Sequence, residues 1–345
     1  MPLAGLISDG YYAHVLMSVL FRACHQARAI ASIAFCPPAP GQSRVLRDFS
    51  TIIESNGISF VGEFIPPGLG WLQSLPDARD LSPSNPEVQK TLAALGMPRR
   101  RSLPARVDLS SYFPAVSNQQ RVNASTAFAW SSILEYFERR TKGTIEPLSP
   151  LFLYKVTRNL LLRNGDCGAD LRSTIKAAAT CGVPPERYWP YEPERFDEEP
   201  PAFVYKVAES YDSQRFIRLD PPPRNGAATL DWVRAFLAAG FPLAFGFVVP
   251  VSLSSDPDIP YRPQLDSVHG GHAAVAVGFD NDRISGGKGA LLIRSSWGDA
   301  WGSGGYGWLP YAYVLHELAV DFWTVYRPNW LASGEFTCPR GIVSK

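Results

Sequence analysis

The chain has 345 residues, 46% of them apolar and 19% charged, which is the make-up of a globular protein with a sizeable core and not of a disordered one. With 33 basic and 32 acidic side chains the net charge is +1, so no global field attracts a nucleic acid or an anionic membrane, and neither is expected as a partner. The five cysteines, Cys24, Cys36, Cys167, Cys181 and Cys338, are odd in number and include no CxxC pair, so neither a metal nor a cofactor is expected. The stretch between Cys167 and Cys181 reads as helix and would hold the two about 20 Å apart, beyond disulfide reach. Free, buried thiols and a reducing compartment are expected.

In chain order, His14 to Phe21 (HVLMSVLF) forms an apolar run without a basic stretch before it, flanked by Asp9, Arg22 and Arg28. It makes a poorly formed secretion signal and is far shorter than a membrane span, so a cytoplasmic location is expected, with secretion left open. Breaker-rich joints follow at Phe35 to Ser43 (FCPPAPGQS) and Phe64 to Gly70 (FIPPGLG). Residues 1–66 read as an N-terminal extension and 67–102 as a linker. Within that linker, Gly70 to Pro86 is expected to lie extended along a surface, and Arg99 to Arg101 to form a solvated patch. The main domain spans 103–330 and a tail spans 331–345.

A helix is predicted from Ala124 to about Arg140, with Ala127, Phe128, Ile133, Leu134 and Phe137 at helical spacing and Gly143 as the stop. Further helices are predicted over Pro150 to Leu162, over Ala169 to Thr180, closed by Gly182, and over Leu230 to Ala239. The last third changes period: Pro242 to Pro250, His272 to Asp280 and Gly289 to Ser296 read as strands bounded by turn residues. Helices lead and strands follow, the pattern of an α+β protein with a helical lobe packed on a strand-rich lobe and a cleft between them.

Three distant segments share one chemical logic: VSNQQRVNASTAFAW (Val116 to Trp130), VHGGHAAVAVGFD (Val268 to Asp280) and IRSSWGDAWGSGGYGWLPY (Ile293 to Tyr311). Together they resemble the papain-like cysteine peptidases. In that family a glutamine precedes the nucleophilic cysteine by six positions, the cysteine opens a long helix, a strand-borne histidine is the base, and an Asn-Ser-Trp-Gly segment orients it. Here Gln119 stands six positions before Ser125, which opens the predicted helix, while His272 heads the strand and Ser295-Ser296-Trp297-Gly298 takes the place of Asn-Ser-Trp-Gly. GWLQSLPDARD, DCGADLRSTIKAAATCGVPPERYWPY and LAAGFPLAFGFVV extend the resemblance over roughly Gly70 to Trp323, closest to the bacterial branch of the family. The resemblance implies a two-lobe fold whose strand-rich lobe is antiparallel and barrel-like, a peptide or protein as the molecule held in the cleft, and a monomer. By analogy residues 1–66 would be a propeptide, although the family's spaced helix signature is absent from them; a docking helix is the other reading.

Carried over residue by residue, Ser125, His272, Ser295 and Gln119 occupy the catalytic positions, and Gly168, Ala169 and Trp297 the substrate-binding ones. For Gly168 and Ala169 the alternatives are an edge that takes a peptide as an added strand and a turn leading into a helix. For Gln119 they are an oxyanion-hole amide, acting with the backbone N–H of Ser125, and a turn-capping amide. The departures bear on chemistry. A thiol near pKa 8.5 can be stored as an anion at a helix N-terminus beside an imidazolium. A serine hydroxyl must lose its proton during attack and needs a well-oriented base. Ser295 offers that base a shorter hydroxyl in place of a carboxamide. Asn123 replaces a glycine, where an asparagine can keep a positive φ. Three functional readings follow: a cleft-binding homologue whose proteolysis is weak or lost, an active Ser125–His272 hydrolase, and a cysteine peptidase whose nucleophile was replaced to trap substrate. All require the Ser125 hydroxyl and the His272 ring to meet in one groove.

Overall fold

Why the helices stop and start where they do follows from their caps. The computed structural model describes residues 66–94, 103–144, 146–209, 215–284 and 288–326, which belong to a unit formed by residues 64–345. In chain order the elements are β1 (Trp71–Leu72), α1 (Pro86–Ala94), β2 (Arg106–Asp108), α2 (Ser125–Lys142), α3 (Pro150–Leu160), β3 (Ala169–Asp170), α4 (Leu171–Cys181), α5 (Ala202–Ala208), β4 (Arg215–Arg218), α6 (Gly226–Ala238), β5 (Leu243–Pro250), β6 (Val268–Ile284), β7 (Lys288–Arg294), β8 (Tyr306–Pro310), α7 (Tyr311–Leu315) and β9 (Ala319–Tyr326). Helix α2 buries Ser125 to Ser131 and Ile133 to Phe137, so it is the central helix, packed on α3 and α4 and also on β5, β6 and β9. It ends at Gly143, left-handed at φ 74°, whose N–H reaches Arg139 O. Ser149 caps α3 by accepting from Phe152 N, Asp170 caps α4 through Ser173 N, and Asn225 caps α6 through Ala228 N.

β4, β9, β5, β6, β7 and β8 lie side by side in one antiparallel sheet, and β2 joins it on β6. The fold is therefore the expected α+β arrangement, with a large antiparallel sheet that does not close into a barrel among the described residues. No helix among them is long and apolar enough to cross a membrane.

Several sequence expectations need correction. The third helix starts at Leu171 and not Ala169, because Ala169 and Asp170 pair in parallel with Trp71 and Leu72 and the extended Asp170 serves as its cap. The fourth starts at Gly226, where Asn225 supplies the cap immediately after the prolines. β6 begins at Val268, so His272 lies inside the strand and His269 belongs to it too. The segment after Gly70 is mostly exposed, with Leu72 at 40% and Leu75 at 80%, but Trp71 (8%) and Ser74 (2%) anchor it in the interior and Pro86 opens a helix. Cys167 and Cys181 are free, as expected, but Cys167 is exposed and Cys181 half-buried, since the helix begins only after Cys167. Cys24, Cys36, Cys338, the apolar run at 14–21, the joint at 35–43 and Arg99 to Arg101 lie outside the described residues.

A buried charge network ties the early segment to the sheet. Fully buried Arg218 donates to Asp321 Oδ1 (2.6 Å) and Asp220 Oδ1 (3.2 Å), while Asp321 Oδ2 accepts from Ser74 N (2.7 Å). Arg172 holds Asp80 through Nε (2.8 Å). Burial pushes the Asp321 carboxyl up to about 6, and the neighbouring Asp220 charge adds to that. Replacing one member of such a group strands the others in a dry interior, which commonly costs about 3–5 kcal/mol. Arg218→Met is therefore expected to lower the unfolding free energy by that amount in urea titration, and to lose less at acid pH, where the two carboxyls become neutral.

Candidate active site

Local pairing of two loops sets up the site. Asn118 bridges to Trp297, Gln119 N donates to Ser296 O (2.8 Å), and Gly298 N donates to Ser117 O (3.1 Å). Gln120 takes the positive φ of 52° that this turn requires. Asn123 does not; it works instead through its backbone N–H, which donates to Asp166 Oδ1 (2.9 Å), and through its side-chain amide, which donates to Asp166 Oδ2 (3.1 Å). Tyr154 secures Asp166 from the other side, donating to Oδ1 (2.6 Å) while accepting from Gly168 N (3.0 Å).

The antiparallel register of β6 on β7 pairs Val275 with Arg294, and continued past the end of β7 it brings His272 opposite Trp297. The rings stack, with centroids 4.0 Å apart. His272 Nε2 lies 3.1 Å from Ser295 Oγ. Ser125, at the head of α2, comes beside the same strand: its Oγ accepts from Ala273 N (3.1 Å). The structure thus gathers Gln119, Ser125, His272, Ser295 and Trp297 into one place, but no hydrogen bond joins Ser125 to His272, and His272 Nδ1 is buried without a partner. Both residues are fully buried. Desolvation drives the imidazole down to about 3, so at neutral pH it carries no charge.

A segment whose sequence reads as a joint crosses this buried centre. Residues Gly68 to Ser74 run through the site as an extended strap. Trp297 Nε1 donates to Gly68 O (2.7 Å). Leu69 O accepts from Gln119 Nε2 (3.0 Å) and from Ser125 N (3.4 Å), the two donors named above as an oxyanion hole. Gly70 N donates to Gly271 O (3.1 Å), and Ala169 N donates to Gly70 O (2.9 Å). Gly168 and Ala169 thus form an edge along which an extended chain lies, in parallel, and that chain is the protein's own. Gln119 also caps its turn, donating to Val122 O (2.8 Å), so its amide nitrogen serves both that carbonyl and Leu69 O.

The glycines explain how the strap fits. At Gly70 (φ 110°) a Cβ would lie 2.0 Å from Asn123 O, so only glycine passes at this depth. At Gly246 in β5 a Cβ would lie 1.9 Å from the Trp71 indole, which fills that space. The signal available in the sequence was PPGLGW itself, two prolines and two spaced glycines ahead of a tryptophan. Nothing local tells a strap from a linker, so by themselves these residues have the character of a joint. Among the described residues no group of acidic, histidine or cysteine side chains is arranged to hold a metal ion.

No family model matches the sequence. Over 280 residues the chain is 30% identical to an uncharacterized peptidase C1-like protein of Acanthamoeba polyphaga mimivirus, a stretch covering 76% of this chain and 87% of that protein. The structure is similar to that of xylellain, a cysteine protease from Xylella fastidiosa, with a TM-score of 0.62 and 30% identity over 75% of this chain and 96% of that one. Procathepsin B from Trypanosoma congolense matches with a TM-score of 0.53 over 76% of this chain and 86% of its own, at 17% identity, a likeness of fold.

The strap makes the titration of His272 testable. An unfolded chain protonates this ring near 6.5 and the folded one only near 3, so its contribution to stability is complete above about pH 6.5 and is lost as pH falls toward 3. Ring-proton NMR of the intact protein is expected to show a neutral His272 from pH 5 to 8. In Trp71→Ala, which removes the strap's anchor, the ring should titrate closer to about 6.5, and added protease should cut residues 68–74 at least about tenfold faster.

Proposed function

Because the chain belongs to the papain-like cysteine peptidase family, we propose that it is a peptide-binding member in which proteolysis is weak or lost, with Ser125 where the family has its nucleophilic cysteine and Ser295 where it has the orienting asparagine. The 30% identity to xylellain supports a place in the bacterial branch. The observation that carries the functional reading is the Leu69 carbonyl held between Ser125 N and Gln119 Nε2. The groove receives an extended backbone in register, with donors and acceptors already paired to it, and no reaction at Ser125 is needed for that.

The chemistry of the centre supports the second half of the proposal. For Ser125 to attack a carbonyl its proton must pass to His272 Nδ1 as the bond forms. The Ser125 oxygen is engaged by Ala273 N–H, and the buried imidazole is a poor proton acceptor. A thiol in the same position would need to form a thiolate–imidazolium pair, which burial also opposes until the strap leaves. Ser295 holds Nε2 through a single rotatable hydroxyl, while Trp297 stacked on the ring limits its tilt. Loss of one member of a catalytic group typically costs on the order of thousands-fold in turnover.

The proposal is tested with a fluorogenic peptide library and four proteins: the chain itself, Ser125→Cys, Trp71→Ala, and the double variant. Cleavage is expected only in the double variant, at least about a thousandfold above the chain itself, and is expected to vanish when His272→Ala is added. Trp71→Ala without the cysteine should bind extended peptides without cutting them. Cleavage by the unmodified chain that His272→Ala abolishes would replace this reading with that of a Ser-His hydrolase.

A further inference from the structure

Away from the cleft, a second cavity of about 290 Å³ lies against α2, and none of Gln119, Ser125, His272 or Ser295 lines it. Phe128 and Tyr191, in edge contact at 4.8 Å, contribute to its apolar wall together with Leu148. The charged groups lining it are two carboxylates, Glu135 and Glu186; no lysine, arginine or histidine does so. The buried Arg294 guanidinium lies behind the cavity wall, donating to the carbonyls of the lining residues Pro114 and Ala115, and offsets part of the two carboxylates' charge.

Two polar groups on this surface are open to a further partner. Glu135 is 8% exposed, and its Oε1 accepts from Leu148 N (2.8 Å), yet among the described residues no ion pair reaches it. The Arg294 charge acts on Glu135 without a hydrogen bond between them. Arg294 donates to Pro114 O (3.0 Å), Ala115 O (2.7 Å) and Tyr306 Oη (3.1 Å), and Arg139, one turn further along α2, donates to Phe113 O (3.0 Å). One turn before Glu135, Ser131 is 3% exposed and also lines the cavity, and its hydroxyl has no partner. A buried hydroxyl without a protein partner is uncommon, and one that lines a cavity is available to a molecule seated there.

We propose that this cavity binds a small organic cation, a primary alkylammonium, whose N–H groups are shared between the Glu135 carboxylate and the Ser131 hydroxyl and whose carbon chain lies along Phe128 and Tyr191. An ammonium is compact and carries three donors, which suits a carboxylate and a hydroxyl one helical turn apart. The volume is at the small end of ligand cavities, which favours a short chain. Glu186 at the half-buried rim adds attraction without being enclosed; its Oε1 accepts from Tyr191 N (3.3 Å). Burial pushes Glu135 up to about 7 against the hydrogen bond from Leu148 N and the Arg294 charge, with Glu186 adding a little to the rise. A bound cation favours the ionised carboxylate, so binding releases a proton below that value and tightens as pH rises through it.

Calorimetry of the full chain with n-butylammonium chloride and with n-butanol, its neutral counterpart, tests the site at about pH 6 and about pH 8. One saturable site is expected for the cation, at least about tenfold tighter than for the alcohol. It should be tighter at the higher pH, with proton release evident from paired buffers. Glu135→Gln keeps an acceptor for Leu148 N and should weaken the cation at least about tenfold. Ser131→Ala should weaken it severalfold while leaving the melting temperature unchanged or raised, an effect that a purely structural hydroxyl does not predict. Should Glu135→Gln fail to fold, Ser131→Ala and Glu186→Gln still decide the matter. Equal affinities for butanol and butylammonium, no saturable heat, or affinity untouched in these variants would overturn the proposal.

Discussion

One carbonyl organises the centre of this protein. Helix α2 begins without a side-chain cap, since Ala124 stands at its N-cap, and its first N–H groups need acceptors. Leu69 O supplies one to Ser125 N and satisfies the Gln119 amide with the same oxygen. A helix N-terminus with an added amide donor is a site that favours negative charge. Filled by a neutral peptide carbonyl, it is satisfied without any charge being formed. Once that carbonyl is in place the backbone on either side follows, with Gly68 O on Trp297, Gly70 on Gly271 and Ala169, and the Trp71 indole against Gly246.

The electrostatics of the site then follow from exclusion of water. His272 is enclosed by Trp297 and Phe247 and loses the solvation that a positive imidazolium needs. Thiol chemistry depends on holding opposite charges side by side, and in this closed state neither charge is favoured. Serine, which stores no charge between turnovers, is compatible with such a dry site, though as a nucleophile it gains little from it. The far end of the strap is held by different physics. There Ser74 N donates to Asp321, a carboxylate paired with fully buried Arg218 (2.6 Å). That group joins the end of the strap to β4 and β9.

Helix α2 carries both the head of the candidate site and one wall of the other cavity. Ser125 sits at its head, and Ser131 and Glu135 lie further along, facing the second cavity. Tyr191 connects them: its ring packs on Phe128 at the cavity wall, and its hydroxyl donates to Gln119 O (2.6 Å). A molecule seated along Tyr191 would rest on the residue that steadies the Gln119 turn.

Much of this was legible in the amino-acid order because it depends on local rules. The period of Ala127, Phe128, Ile133, Leu134 and Phe137 specifies a buried helix, Gly143 its end, and the apolar runs after Pro242 the strands. The spacing of Gln119 to Ser125 and the Ser295-Ser296-Trp297-Gly298 segment identified the family. What the sequence could not reveal concerns groups that meet only when distant segments pack. Whether PPGLGW bridges two parts or lies in a groove depends on Gly246, 175 positions beyond Trp71, having no side chain. The protonation of His272 and Glu135 depends on how much water the finished fold leaves around them, which no residue carries in its identity. Composition and periodicity determined the elements and their order; tertiary packing alone decided that the cleft is filled by its own chain and that the centre is dry.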